Sequence, residues 1–145
     1  MWIGFVEAKS KLAYFSAKRF ESFSTAQVPI PFPSVKVNAG GAFNSKLGIF
    51  TVPTDGIYFF IFNGVALEGH LVASICVKRN YGLANVICFA SGLTSKAIYQ
   101  QISIHATETL KRGDQVFVKL ENSTGTERNE LGLSIYSGWL LHEEI

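Results

Sequence analysis

Residues 57–62 read Ile-Tyr-Phe-Phe-Ile-Phe, and no other stretch restricts so strongly what this chain can become. Successive side chains of a strand point to opposite faces. Ile57, Phe59 and Ile61 therefore share one face, and Tyr58, Phe60 and Phe62 the other. Both faces are large and apolar, whereas an antiparallel sheet usually buries one face and leaves the other wet. The sequence shows no helical hydrophobic period that would supply a second cover. A second copy of the same chain is the economical cover, and which face meets it is open at this level.

The flanking sequence breaks into short extended runs separated by turn residues. Strands are expected at 11–19, from Phe43, and at 47–52, 57–65, 71–78, 85–90, 98–110, 115–120 and 131–141. Ala39-Gly40-Gly41, Pro53-Thr54-Asp55-Gly56, Arg79-Asn80-Tyr81-Gly82 and Lys111-Arg112-Gly113-Asp114 read as turns. Pro29, Pro31 and Pro33 exclude a central strand and favour an edge or turn. Loops are expected at 67–70, 91–96 and 122–130. Short strands at steady spacing with glycine turns indicate an all-β sandwich. If strands alternate in direction, the three loops share one end and the C-terminus leaves from the other.

Composition narrows the function classes. At 145 residues the chain is the length of one domain. Charged residues make up only 17% of it and twelve residues are Phe, leaving apolar surface for contacts between copies of the chain. A net charge of +2 from scattered residues does not suggest nucleic acid as a partner. No run approaches the roughly 20 apolar residues of a membrane span, so membrane insertion is not expected. The first eleven residues lack the apolar centre and cleavage site of a signal peptide.

Catalytic motifs are missing: no Gly-x-Ser-x-Gly, no phosphate-binding glycine loop and no His-Glu-x-x-His. His70, His105 and His142 fall in separate elements without ligand spacing, and the chain is not expected to be an enzyme. Calcium wants six to eight oxygens. The only aspartates, Asp55 and Asp114, sit in tight turns where Asp commonly bonds backbone, so no cofactor or metal is expected. Cys76 and Cys88 are equidistant from Gly82, and a regular hairpin would set them opposite each other. A bridge and two buried thiols both fit this spacing, and the expectation favours two free thiols. Asn122-Ser123-Thr124 is an N-glycosylation sequon.

Phe32, Asn38, Phe43, Phe50, Gly56, Tyr58, Phe60 and Phe62 form a spaced ladder that resembles the signature of the C1q globular-head family, whose fold is similar to that of tumour necrosis factor. Ala13-Tyr14-Phe15-Ser16-Ala17, Gly113-Asp114-Gln115-Val116 and Ser137-Gly138-Trp139-Leu140-Leu141 resemble further family segments. Val52 departs from the pattern, where many relatives have Cys. The resemblance implies a ten-stranded jelly-roll sandwich in a compact homotrimer, with the ladder and Gly138 building core and interface. It implies an N-terminal extension at 1–12, a head domain at 13–141 and a tail at 142–145. It also implies a secreted protein. Two functions follow from it: an innate-immune module binding lipopolysaccharide, glycans or immunoglobulin-like partners, or a cytokine-like or synaptic ligand for a receptor, with a matrix component as a further variant. Binding is expected at the loop end opposite the termini, through His70, Thr94, Lys96, Arg128 and Asn129.

Overall fold

The computed structural model describes residues 12–68, 71–80, 86–94, 100–122, 126–127 and 134–144. Every regular element among them is a strand: β1 (Tyr14–Arg19), β2 (Ser34–Ala39), β3 (Phe43–Asn44), β4 (Ile49–Thr51), β5 (Gly56–Glu68), β6 (Val72–Lys78), β7 (Val86–Leu93), β8 (Gln100–Leu110), β9 (Gln115–Leu120), β10 (Thr126–Glu127) and β11 (Ser134–Glu143). They form two antiparallel sheets. One runs β10-β5-β11-β1-β2 with β8 also paired to β5, and the other β3-β4-β9-β6-β7. The expected ten strands are present, with the two-residue β10 added beside the end of β5.

The alternation of β5 decides the layering. Tyr58, Phe60 and Phe62 are fully buried between the sheets, while Ile57, Phe59 and Ile61 lie half-buried on the outer face. The inner side chains meet Phe15, Phe32, Phe43, Phe50 and Tyr136 in one aromatic cluster. Within it Phe15 stacks on Phe43 at 4.3 Å, and Phe50 meets Phe60 edge-on at 5.7 Å. Each such ring contributes about 1.5–3 kcal/mol by burial and a further ~0.5–1.5 kcal/mol from favourable ring geometry.

Two ladder residues and Gly138 have clear local reasons. Gly138 pairs with Phe15 on one side and Phe60 on the other. A Cβ there would lie 2.6 Å from Phe60 Cδ1 and 2.7 Å from Phe15 Cε1, so the missing side chain makes room for two rings. At Gly56 a Cβ would approach Leu140 Cδ1 to 2.9 Å. The Asn38 amide donates to the Phe43 carbonyl at 2.9 Å and its oxygen accepts from the Phe43 N–H at 3.2 Å, bracing the turn at Gly40 and Gly41, both at positive φ.

Several boundaries moved. The proline segment is a strap: Ala26 and Pro29 bridge to β9, and Ile30 and Phe32 are buried. Arg19 fastens it by donating to the Pro31 carbonyl at 2.9 Å. β2, not anticipated from its lysine-containing sequence, is an edge strand. Residues 91–93, expected as loop, complete β7. Ser91 shares a 2.7 Å hydrogen bond with Ser74 across the ladder. Gly92 packs close to Ile102 and Ile104. β11 continues beyond Leu141 through an irregularity between Leu140 and His142, which puts His142 in the strand.

Cys76 and Cys88 are direct cross-strand partners, as their spacing suggested. The expectation of two free thiols is overturned, because they form a disulfide. The pair continues the register of Lys78↔Val86 and Val77↔Ile87, the ladder shifts only beyond it, between Ile75 and Cys76, and the two Cα atoms lie 3.9 Å apart.

Candidate assembly face and loop end

Directly paired residues share a face, so register alone composes the outer surface of the β5 sheet. One row runs Thr107, Phe59, Trp139, Tyr14, and the next His105, Ile61, Ser137, Ser16. Phe59 lies 4.8 Å from Trp139 and 6.1 Å from His105, and Trp139 meets Tyr14 edge-on at 5.8 Å. Ser16 and Ser137 bond each other at 2.8 Å. The result is an aromatic stripe bordered by hydroxyls, on which Phe59 and Trp139 are half-buried and Tyr14 is exposed. The two-faced character of residues 57–62 anticipated this surface. Tyr14, Trp139 and His105 were not assigned to it, although their strand parity, once paired, puts them there.

A second apolar surface lies on the edge strand β7, where Val86, Ile87 and Leu93 are 45%, 52% and 70% exposed. An uncovered apolar edge invites pairing with another chain.

The strand registers also sort the ends of the sandwich. Tyr14, Gly56, Leu110, Gln115 and Glu143 lie at one end, beside the described chain termini. Glu68, Leu93, Gln100, Leu120 and Ser134 lie at the other. The strand ends flanking the three predicted loops thus share one end, as alternation required. Of the residues expected to bind there, His70, Lys96, Arg128 and Asn129 lie outside the described residues. Thr94 is corrected: it is fully buried, and its hydroxyl oxygen accepts the Leu71 N–H at 3.0 Å while its own N–H donates to the Leu71 carbonyl at 2.9 Å. Committed to the start of β6, it fastens the loop end and presents no hydroxyl to a ligand. Asn122 is half-buried, and the rest of its sequon lies outside the described residues.

At the terminus end, polar groups build turns. Asp114 is 1% exposed. It accepts from Arg79 Nη1 at 2.9 Å, the Asn80 N–H at 3.0 Å and the Lys111 N–H at 2.9 Å. Burial raises its pKa, but these donors outweigh burial and hold the carboxyl below its ordinary value. Asp55 takes the Arg112 N–H at 2.8 Å. Both aspartates thus bond backbone, though across turns as well as within them. No group of three His, Cys, Asp or Glu suited to a metal occurs among the described residues.

A family model described as the C1q domain matches residues 14–141. The chain is 28% identical over 138 residues to a complement C1q subcomponent of Mus musculus, covering 95% of this chain and 53% of that protein. It is 30% identical over 135 residues to human complement C1q tumor necrosis factor-related protein 5, covering 86% and 54%. Caprin-2 of Danio rerio is 31% identical over 132 residues, covering 90% of this chain but 14% of that protein. The chain therefore spans about half the length of the complement-type relatives and much less of Caprin-2. Among solved structures, the globular domain of zebrafish complement 1qA superposes with a TM-score of 0.74 at 23% identity, covering 91% of this chain and 99% of that one. Murine APRIL follows at 0.72 and 13%, covering 90% and 100%. These likenesses agree with the two-sheet architecture and the aromatic ladder, and the chain belongs to the C1q-domain family.

Proposed function

We propose that this chain is a secreted, non-enzymatic recognition module. It assembles as a homotrimer and binds repeating microbial or altered-self surfaces, such as lipopolysaccharide or dense glycans, through the loop end remote from its termini. One observation carries the assembly: two different apolar surfaces, the Phe59–Trp139–Tyr14 stripe and the exposed β7 edge. A two-fold dimer needs only one self-complementary patch. Two unlike patches suit a heterologous contact that closes into a ring. The disulfide supports an oxidising, extracellular setting.

A trimer presents three copies of the loops that carry His70, Lys96, Arg128 and Asn129 in one direction. One small polar patch binds at about millimolar strength. Three on a repeating surface raise effective affinity by roughly 10²–10⁴-fold without new contacts. Sedimentation equilibrium at micromolar concentration is expected to give three chain masses, and a concentration-independent monomer would refute the assembly. Binding to lipopolysaccharide-coated and glycan-coated surfaces is then compared between the native protein, a Phe59→Arg/Trp139→Arg monomer, and Lys96→Ala and Arg128→Ala. Equal binding by monomer and trimer eliminates avidity. Tight binding to a receptor ectodomain, with none to these surfaces, assigns the cytokine-like function instead.

A further inference from the structure

At the terminus end, away from the proposed recognition loops, an open groove of about 800 Å³ lies between two turns. One wall is the segment from Gly40 to Lys46, and the other is the pair Arg112 and Gly113, with Thr51, Val52 and Pro53 between them. Such a volume falls in the range of ligand sites, and its open form suits an extended ligand.

Both walls are pinned by their own hydrogen bonds. Asn44 Oδ1 accepts the N–H groups of Lys46 and Leu47 at 3.1 and 3.2 Å, which fixes the turn that carries Lys46. Across the groove, the Arg112 N–H is held by Asp55 and the Gly113 N–H donates to the Val52 carbonyl at 2.8 Å. The floor is tied by Thr51 N–H to the Ala42 carbonyl at 3.0 Å. Each pinned turn therefore contributes one cationic residue to the lining of the same groove, and Ser45 and Thr51 line it as well.

The charge balance of the groove is one-sided. Among the described residues, no Asp or Glu lines it. The nearby carboxylates are committed elsewhere: Asp114 is buried under three donors, and Asp55 accepts the Arg112 N–H and lies 3.7 Å from Lys111 Nζ. Among the described residues neither the Lys46 ammonium nor the Arg112 guanidinium has a carboxylate partner. A guanidinium and an ammonium beside hydroxyl donors match an oxyanion borne on a polyhydroxyl chain.

We propose that this groove is a second binding site, for a sulfated or phosphorylated saccharide, in which Lys46 and Arg112 hold the anionic ester groups and Ser45 and Thr51 bond neighbouring hydroxyls. It is independent of the loop-end site and uses none of its residues.

The test is calorimetric titration of the assembled protein with a heparin-derived hexasaccharide, its fully desulfated counterpart and a phosphorylated mannose pentasaccharide. Lys46→Ala and Arg112→Ala are each expected to weaken binding of the charged probe about three- to tenfold, and the double variant to abolish measurable binding. Lys46→Arg should restore most of it. Both side chains are exposed, so unchanged melting temperatures will show that the variants fold. Which charged probe binds identifies sulfate or phosphate as the recognised ester. The proposal is overturned if neither charged probe binds, if the desulfated sugar binds as well, or if the double variant keeps native affinity. Loss of binding only in Lys96→Ala or Arg128→Ala also overturns it, by moving the anion to the loop end.

Discussion

Adjacent residues on β5 provide the sharpest test of how this fold is layered. Phe60 is fully buried, with ring neighbours Phe50 at 5.7 Å, Tyr58 and Phe89 at 6.3 Å, and Tyr136 at 6.4 Å. Phe60→Ala removes the ring from the centre of both sheets, and its neighbours are too large and too fixed to fill the cavity. Such a truncation costs about 3–5 kcal/mol. For a domain of this size, each kcal/mol moves the melting temperature by about 2–4 °C, so the variant should melt roughly 6–20 °C lower. Phe59 is half-buried and touches Trp139 across the outer face. Its truncation should cost the isolated fold only about 1 kcal/mol and mainly weaken self-association. Urea unfolding at several chain concentrations, with sedimentation equilibrium on the same samples, separates the two effects. Equal fold destabilisation by both variants, or an assembly stronger in Phe59→Ala than in Phe60→Ala under native conditions, would refute the assignment of faces.

Asp114→Asn should destabilise the fold by about 2–3 kcal/mol by disturbing a buried, charge-assisted network, measured by urea unfolding at neutral pH. Because the native carboxyl is held below its ordinary value, its stabilisation is present above about pH 4 and is lost as pH falls through the folded value. Acid unfolding of the variant should therefore be less steep. Tyr58 behaves in the opposite sense: burial, with the carboxylates of Glu143 and Asp55, pushes its hydroxyl up to about 12. Between about pH 10 and 12 the unfolded chain loses this proton and the native one keeps it, so stability falls as pH rises. Tyr58→Phe should flatten that decline. Thiol titration of the denatured, unreduced protein should find no free thiol, and Cys76→Ala/Cys88→Ala should cost about 3 kcal/mol from the loop-closure entropy of so short a loop.

The β class, the central strand, most turns and the family signature were legible because each depends on local rules. Period-two alternation, glycine and proline geometry, and the spacing of aromatics all act within a few residues. The same alternation marked residues 57–62 as apolar on both faces, but only the pairing of β5 with β8 and β11 put Phe60 inside and Phe59 outside. Local composition misled at residues 91–93, where Ser91 and Gly92 look like loop yet complete a ladder against β6. Thr94 looked like a ligand hydroxyl until Leu71 was brought 23 residues back to claim it. Cys76 and Cys88 were legible as neighbours from their spacing about Gly82, but that spacing fits a bridge and two thiols alike, and only the structure shows the bridge. The groove carrying Lys46 and Arg112 joins turns 66 residues apart and has no contiguous motif. Sequence determined which residues could extend, turn and bury; tertiary structure decided which of them meet, because face, partner and exposed charge are properties of paired strands and packed sheets.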